Sequence, residues 1–435
     1  MKKGGICHPF FYLCFVFKIN LKFNYMKKSF KSLILLAVTV LFIASCGMQG
    51  EKKAKYVFYF IGDGMGFSHI SLTEGYLAAK EGKIGNNPLC FTQFPVMGMA
   101  TSYSANRYIT CSSAAGTALA TGNKTNNGML GTTPDSTNLT AISYKIHNAG
   151  FPVGVTTSVT IDHATPGSFY ANSTARSDYY SISEQLATSG FEFFGGGGFY
   201  GAKDKRHQEK SLYAIAEENG YQFAFGIEDY KAKKSSGAKK VVLFQEDEAK
   251  RDNDLPYVYD RVEGDLELPQ VVEAAVDFLN NEKGFFLMVE GGKIDWAAHS
   301  NDLQGTILEM LDFDHAIQVA YKFYQQHPDE TLIVVTADHE TGGVTLGRGK
   351  GYVYDLSVVK ENNAGVASGS DVSNYMQDIS KDSLSVVAKI GWTTTSHTGG
   401  AVPVFAIGAG SEMFAGRQDN TDVPKKICKA MGVQF

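Results

Sequence analysis

Apolar residues in this chain gather in short unbroken runs at Tyr56–Ile61, Phe285–Val289, Leu332–Thr336 and Ala401–Ile407. Runs of this length, rich in aromatic and β-branched residues and flanked by glycine or polar positions, predict strands buried on both faces. Val153–Val159 and Val241–Phe244 predict two more. Between them the apolar positions predict helices at Ser71–Lys80, Leu139–Asn148, Tyr180–Ser189, Leu212–Glu218, Gln270–Asn280, Gly305–Gln325 and Val423–Met431. Ser112–Ala120, small residues and leucine stopped by Gly122, predicts another helix, and Gly195–Gly198 reads as a flexible turn. Alternating strands and helices predict an α/β fold, a large and mostly parallel central sheet covered by helices on both faces.

Two stretches break this rhythm. Tyr230–Ala249 carries Lys231, Lys233, Lys234, Lys239 and Lys240 before Glu246, Asp247 and Glu248, and reads as a solvated excursion around one strand. Gly347–Lys389 is polar and irregular, a second insertion expected to cap the site. The catalytic domain is therefore expected to span 56–435, with insertions near 230–260 and 347–389.

The chemistry lies where the strands end. Tyr56–Gly62 runs into Asp63, Phe285–Val289 into Glu290 and on to Asp295 and His299, and Leu332–Ala337 into Asp338-His339. Thr393–Ser396 precedes His397. Three strands ending in metal-type ligands suit a site at the carboxyl edge of a sheet. A single Asp-His pair can be a hydrogen-bonded strand end. Asp295 and His299, however, are four apart, so a helical turn puts carboxylate and imidazole on one face, ready for one Zn²⁺, and His397 supplies a third ligand.

The amino terminus changes the picture of where the domain works. The first 45 residues hold seven lysines and no acid, and only Leu33–Ala44, behind Met26-Lys27-Lys28, has the anatomy of an export signal. The tetrad Ile43-Ala44-Ser45-Cys46 resembles the lipobox of bacterial lipoproteins, which implies a lipid on Cys46. Residues 1–45 then form an upstream extension and lipoprotein signal peptide, and 46–55 a tether. An uncleaved anchor is the competing reading, but about 12 apolar residues fall short of the roughly 20 needed to span a bilayer. Gly47 follows the cysteine where an Asp would hold many lipoproteins at the inner membrane, so the expected address is the outer membrane, facing the periplasm or the cell surface.

With 435 residues, 44% of them hydrophobic, the chain can bury a large core without a disulfide scaffold. Beyond Cys46 only Cys90, Cys111 and Cys428 remain, which permits at most one internal disulfide. Removing residues 1–45 leaves 33 basic against 45 acidic side chains, a formal charge of −12, which argues against a nucleic-acid partner.

A hydrolytic site also needs a nucleophile. Ser112-Ser113-Ala114-Ala115-Gly116-Thr117 puts a hydroxyl at an expected helix amino terminus, where free N–H groups favour an alkoxide or phosphate. A serine there can also act only as an N-cap. Together with Asp63-Gly64-Met65-Gly66, His163-Ala164-Thr165-Pro166, Glu290-Gly291-Gly292-Lys293-Ile294-Asp295, Thr336-Ala337-Asp338-His339-Glu340 and His397-Thr398, the run from Ser113 to Gly122 resembles the alkaline phosphatase family. The resemblance covers Tyr56 to about Ile407, with six motifs in family order.

That resemblance implies phosphate monoester hydrolysis through a phosphoserine at a three-metal site. Asp295, His299 and His397 would hold one zinc; Asp63, Asp338 and His339 the second, beside the nucleophile Ser113. Asp63, Glu290 and Thr165 would hold Mg²⁺, and Arg176 would clasp the phosphate with its planar fork. Three neighbours depart from the best-known bacterial pattern: Ser112 where an Asp is common, His163 where an Asp often stands near magnesium, and Trp296 where a Lys or His is frequent. An imidazole at His163 opens the third site to Zn²⁺ or Co²⁺. The implied partners are small phosphate monoesters, a membrane through the lipid anchor, and a second copy in a homodimer. The rivals are a phosphodiesterase of the same superfamily and a non-catalytic phosphate-binding lipoprotein.

Overall fold

Strand β1 (Tyr56–Gly62) is buried along its whole length and lies inside a ten-stranded sheet. This computed structural model describes residues 53–203, 211–246, 253–360 and 379–435. The chain continues through α1 (Phe67–Lys80), β2 (Val96–Thr101), α2 (Ser112–Thr121), α3 (Ile142–Asn148), β3 (Val153–Thr157), α4 (Ala164–Gly167), α5 (Tyr179–Ser189) and β4 (Phe193–Gly196). Next come α6 (Leu212–Glu218), β5 (Gln222–Phe225), α7 (Ile227–Ser235), β6 (Val241–Phe244), α8 (Leu268–Leu279) and β7 (Phe285–Gly291). After α9 (Lys293–His299), α10 (Leu303–Gln326) and β8 (Thr331–Ala337) lie the short β9 (Glu340–Thr341) and β10 (Thr345–Leu346). Helix α11 (Ile379–Ala388), β11 (Ile390–Gly391), β12 (His397–Thr398), β13 (Val402–Gly408), β14 (Gly416–Asp419) and α12 (Asp422–Met431) complete the order.

The sheet runs β14-β2-β13-β8-β1-β7-β3-β4-β6-β5. Every pairing is parallel except the two made by β13, which is antiparallel to both β8 and β2. Parallel strands need cover on both faces, which explains the unbroken apolar runs. Along β1 the alternation is visible in the partners: Phe60 meets Phe313 and Phe58 meets Phe323, both of α10. Tyr59 points the other way, packs on Phe169 and donates its hydroxyl to the Leu119 carbonyl of α2.

Three sequence expectations need correction. Gly195 and Gly196 are strand residues in β4, not a turn. Their lack of a side chain admits close packing, since a Cβ on Gly195 would collide with Val271 of α8. The lysine-rich segment is no excursion: α7 precedes β6, which is wholly buried between β4 and β5. On α7, Lys231 pairs with Glu228 and Lys234 with Asp277. Strand β3 stops at Thr157, short of the expected Val159.

The second insertion has a small core of its own. Leu356, Val359, Ala388 and Ile390 bury themselves against Leu72 and Tyr76 of α1 and Leu303 and Ile307 of α10. Residues 361–378 of this segment, and 247–252 of the first, lie outside the described residues, as do the signal region and Cys46. Cys90, Cys111 and Cys428 are all free thiols. Among the described residues no helix is long and apolar enough to cross a membrane.

Candidate active site

Neighbouring strands β8, β1, β7 and β3 deliver the ligands to one edge. Gly62 pairs with Ala337, so Asp63 and Asp338 emerge level with each other. Glu290 sits in β7 beside Ile61 on one flank and Thr157 on the other. Helix α9 then presents Asp295 and His299 on one face, with His299 Nε2 3.3 Å from Asp295 Oδ2. His397 arrives from the opposite direction on β12, which pairs antiparallel with β9.

Three groups of ligand atoms gather within 4.8 Å of one another: Asp295 with His339 and His397, Asp63 with Asp338 and His339, and Asp63 with His163 and Glu290. His299 joins the first, its Nε2 3.1 Å from His397 Nε2. His339 and His397 stack with ring centroids 3.5 Å apart.

Most of these side chains are held by one atom and bare at the other. The Gly64 and His339 amides donate to Asp338 Oδ1, leaving buried Oδ2 without a hydrogen bond. The Thr157 hydroxyl, which already accepts from the Val159 amide, donates to Glu290 Oε2, and Oε1 is left unpartnered. His299 Nδ1 donates to the Thr395 carbonyl and His397 Nδ1 to the Thr110 carbonyl. With Nδ1 committed to a carbonyl, each ring turns Nε2 inward as the atom that would meet a cation. Asp63 is fully buried and neither of its oxygens has a hydrogen-bond partner. Buried carboxylate oxygens without donors are costly. Their convergence here fits divalent cations, with Asp63 shared between two of them.

The electrostatics agree. Burial, together with Asp338, Asp295 and Glu290, drives the Asp63 carboxyl well above its usual range. Burial pushes Asp295 the same way, but His299 and the neighbouring imidazoles outweigh it and hold this carboxyl far below. Against its own burial, Asp295 lifts His299 to about 9. Burial and His339 press His397 down to about 4. Four carboxylates gathered at one edge of the sheet favour compensating positive charge, which cations would supply.

The expected third-site residues are brought to the same edge but not in equal roles. Thr165 Oγ1 is buried and unpartnered. The Arg176 guanidinium, which can only donate, reaches His163 Nε2 at 3.2 Å. His163 Nδ1 lies 3.9 Å from Glu290 Oε1. At that distance Nδ1 has no hydrogen-bond partner, and His163 groups with Asp63 and Glu290 as a candidate cation ligand beside the bare Thr165 oxygen. Trp296 packs edge-on against His163 at 5.8 Å.

The two adjacent serines turn their hydroxyls to different partners. Both are buried in the first turn of α2. Ser112 Oγ lies 3.2 Å from His339 Nε2, inside the ligand cluster. Ser113 Oγ instead faces Cys111 Sγ at 3.2 Å, and that sulfur also accepts from the Gly128 amide. Two residues the sequence reading passed over stand behind the ligands: Thr157, and Thr341, which touches both Asp295 and His339. Each adjoins a recognised ligand in a strand or motif, but a lone threonine carries no signal of its own.

Comparison with known proteins accords with this geometry. Residues 54–433 match the family described as Alkaline phosphatase. Alkaline phosphatase 4 of Bacillus subtilis is 31% identical, the match covering 89% of this chain and 91% of that protein. Alkaline phosphatase 3 of the same organism is 30% identical over 88% and 90%. Among solved structures, alkaline phosphatase from the Antarctic bacterium TAB5 aligns with a TM-score of 0.71 at 28% identity, covering 89% of this chain and all of that one. That of Thermus thermophilus aligns with a TM-score of 0.74 at 25% identity, over 89% and 95%. The match along nearly the whole described chain, with the clustered ligands at the sheet edge, leads to one conclusion: the chain belongs to the alkaline phosphatase family and is a phosphate hydrolase.

Proposed function

We propose that the enzyme hydrolyses phosphate monoesters in two displacements, with a phosphoserine between them. The observation that carries this reading is the set of unpartnered oxygens on Asp63, Asp338 and Glu290 beside a serine at the start of α2. Asp295, His299 and His397 would hold one zinc, and Asp63, Asp338 and His339 the other. Asp63, Glu290 and Thr165 would offer oxygens that suit Mg²⁺, while the imidazole of His163, grouped with Asp63 and Glu290, would suit Zn²⁺ or Co²⁺. A TAB5 alkaline phosphatase mutant, with a histidine replaced by glutamate, is described with Mg bound in its M3 site. Bound there, such ions supply Lewis-acid charge that favours a deprotonated hydroxyl and offsets charge on the leaving oxygen.

The geometry favours Ser112 over Ser113 as the nucleophile, because only Ser112 turns its hydroxyl to His339. Its Oγ attacks phosphorus in line; the Oγ–P bond forms as the bond to the alcohol oxygen breaks, and the alcohol leaves with a proton. Water then attacks the phosphoserine, releasing inorganic phosphate and restoring the hydroxyl. Arg176 binds the dianion through its fork, and the free amides at the start of α2 add partial positive charge.

The substrate class is tested by turnover of p-nitrophenyl phosphate, bis-p-nitrophenyl phosphate and p-nitrophenyl sulfate by the metal-loaded protein. The monoester should be cleaved fastest by a wide margin, whereas a preferred diester would establish the phosphodiesterase rival. Anchoring at the outer membrane through Cys46 belongs to the same reading, supported by the lipobox-like tetrad. A homodimer, suggested by the family resemblance, is checked by light scattering.

A further inference from the structure

Thr341 follows the Asp338-His339 pair and is fully buried. Its hydroxyl lies 2.5 Å from Asp295 Oδ1 and 3.3 Å from His339 Nδ1. An ionised carboxylate only accepts, so the hydroxyl hydrogen points to Asp295. The lone pairs of Oγ1 then face His339 Nδ1, which donates only when it carries the ring proton. One hydroxyl thereby sets two things at once, the rotation of the Asp295 carboxylate and the tautomer of His339. In that tautomer His339 Nε2 is bare, 3.1 Å from Asp338 Oδ2 and 3.4 Å from Asp63 Oδ1.

The backbone of Thr341 is anchored on both sides of the site as well. Its amide donates to the Gly64 carbonyl, next to Asp63, at 3.1 Å. It also pairs with His397 across the β9–β12 ladder. Thr341 therefore touches segments that carry ligands of both clusters while ligating neither.

We propose that Thr341 is a positioning residue whose single hydroxyl couples the Asp295/His299/His397 cluster to the Asp63/Asp338/His339 cluster, so that the two metal sites strengthen or weaken together. The inference rests on reading those residues as metal ligands. Without the hydroxyl, Asp295 is free to rotate and His339 loses the acceptor that keeps its proton on Nδ1. Both sites should then lose about 10- to 100-fold in affinity, the usual effect of removing a group that orients ligands.

The test uses full-length protein stripped of metal and titrated with Zn²⁺ against a chromophoric chelator. Thr341→Val, nearly isosteric but without the hydroxyl, should weaken both sites, and Thr341→Ser should restore both. The near-ultraviolet circular dichroism of the metal-free variants reports the fold; should the valine variant misfold, Thr341→Ala takes its place. His299→Ala and Asp338→Asn serve as controls, each removing a ligand from one cluster. If the controls leave zinc binding unchanged, the metal reading itself fails. If the controls behave as expected, the coupling is overturned by wild-type affinity in the hydroxyl-less variant, by weakening at one site alone, or by failure of serine to restore binding.

Discussion

His299 and His397 face each other with their Nε2 atoms 3.1 Å apart while both Nδ1 atoms are committed to backbone carbonyls. Two bare lone pairs at that distance repel, so a proton or a cation must lie between them. His299 is raised to about 9 because Asp295 outweighs its burial, and His397 is lowered to about 4 by burial and His339. Between those values the metal-free pair holds one proton, on His299. Zn²⁺ uptake near neutral pH should therefore release that proton, with affinity rising about tenfold per pH unit up to about pH 9 and levelling above it. The same proton stabilises the metal-free fold fully below the ordinary value of 6.5, and its contribution is lost as pH rises through about 9. Calorimetry in buffers of different ionisation heat counts the protons; zinc binding with no proton release at pH 7 contradicts the assignment.

The two serines separate cleanly by substitution. Ser112→Ala should lower kcat by about 10³-fold or more, the scale seen when a nucleophile is removed, with zinc content retained. Ser113→Ala should cost under about 10-fold, since only the contact with Cys111 is lost. Acid-quenched protein labelled with radioactive phosphate identifies the site directly. A labelled Ser113, with Ser112→Ala still active, would return the role to the residue expected from the motif.

Arg176 should act on the dianion more than on the scaffold. Arg176→Lys keeps the charge but loses the fork and the contact to His163. For a monoester kcat/KM should fall about 10- to 100-fold, the worth of a hydrogen bond to a charged group, and for a diester by less. Equal losses on both substrates argue against a phosphate clamp.

Gly64 is required by both its conformation and its surroundings. Its φ is +75°, and a Cβ there would sit 2.9 Å from Asp295 Cα and from Thr341 Oγ1. Gly64→Ala should therefore cost zinc as well as at least about 1 kcal/mol of stability from the left-handed backbone. Gly82 has φ +68° with no atom within 4 Å of its Cβ position, so Gly82→Ala should carry only the backbone cost. Elemental analysis and thermal melts of the two variants distinguish these outcomes; a zinc-replete Gly64→Ala protein rejects the steric argument.

For export, mass spectrometry of the mature protein should find an acylated Cys46 at the amino terminus. An intact chain beginning at Met1 or Met26, or an unmodified soluble form, rules out the lipoprotein.

How far the sequence reveals the molecule depends on burial. Strands hidden on both faces, such as Tyr56–Gly62 and Thr331–Ala337, announce themselves as unbroken apolar runs. Strands toward the β14 side of the sheet do not: Val96–Thr101, next to the edge, mixes exposed Met97 and Met99 with buried Gly98 and Ala100, and half of the edge strand Gly416–Asp419 is exposed. Glycine misleads at Gly195 because the lack of a side chain serves close packing there and not a turn. The ligands are legible as strand-end carboxylates and imidazoles. Which of two adjacent serines faces them is not, because successive helical residues point about 100° apart and only the placement of α2 decides. Thr341 is invisible for a related reason: its role exists only once Asp295 and His339 have been brought together.

The reversed direction of β13 has a consequence for how the enzyme comes into being. In a parallel strand the catalytic edge lies after the strand, but here it lies before it, so the chain supplies His397 just ahead of β13 rather than behind it. This imidazole belongs to the last stretch to be synthesised, while Asp63 belongs to the first strand. During synthesis the early carboxylates must wait for their imidazole partner until almost the entire polypeptide has been made. Metal capture at the first cluster is then a late event, and it seals a sheet whose long-range pairings are slow to form. A nascent chain halted ahead of His397 would hold most of the core strands and still lack the centre they exist to support.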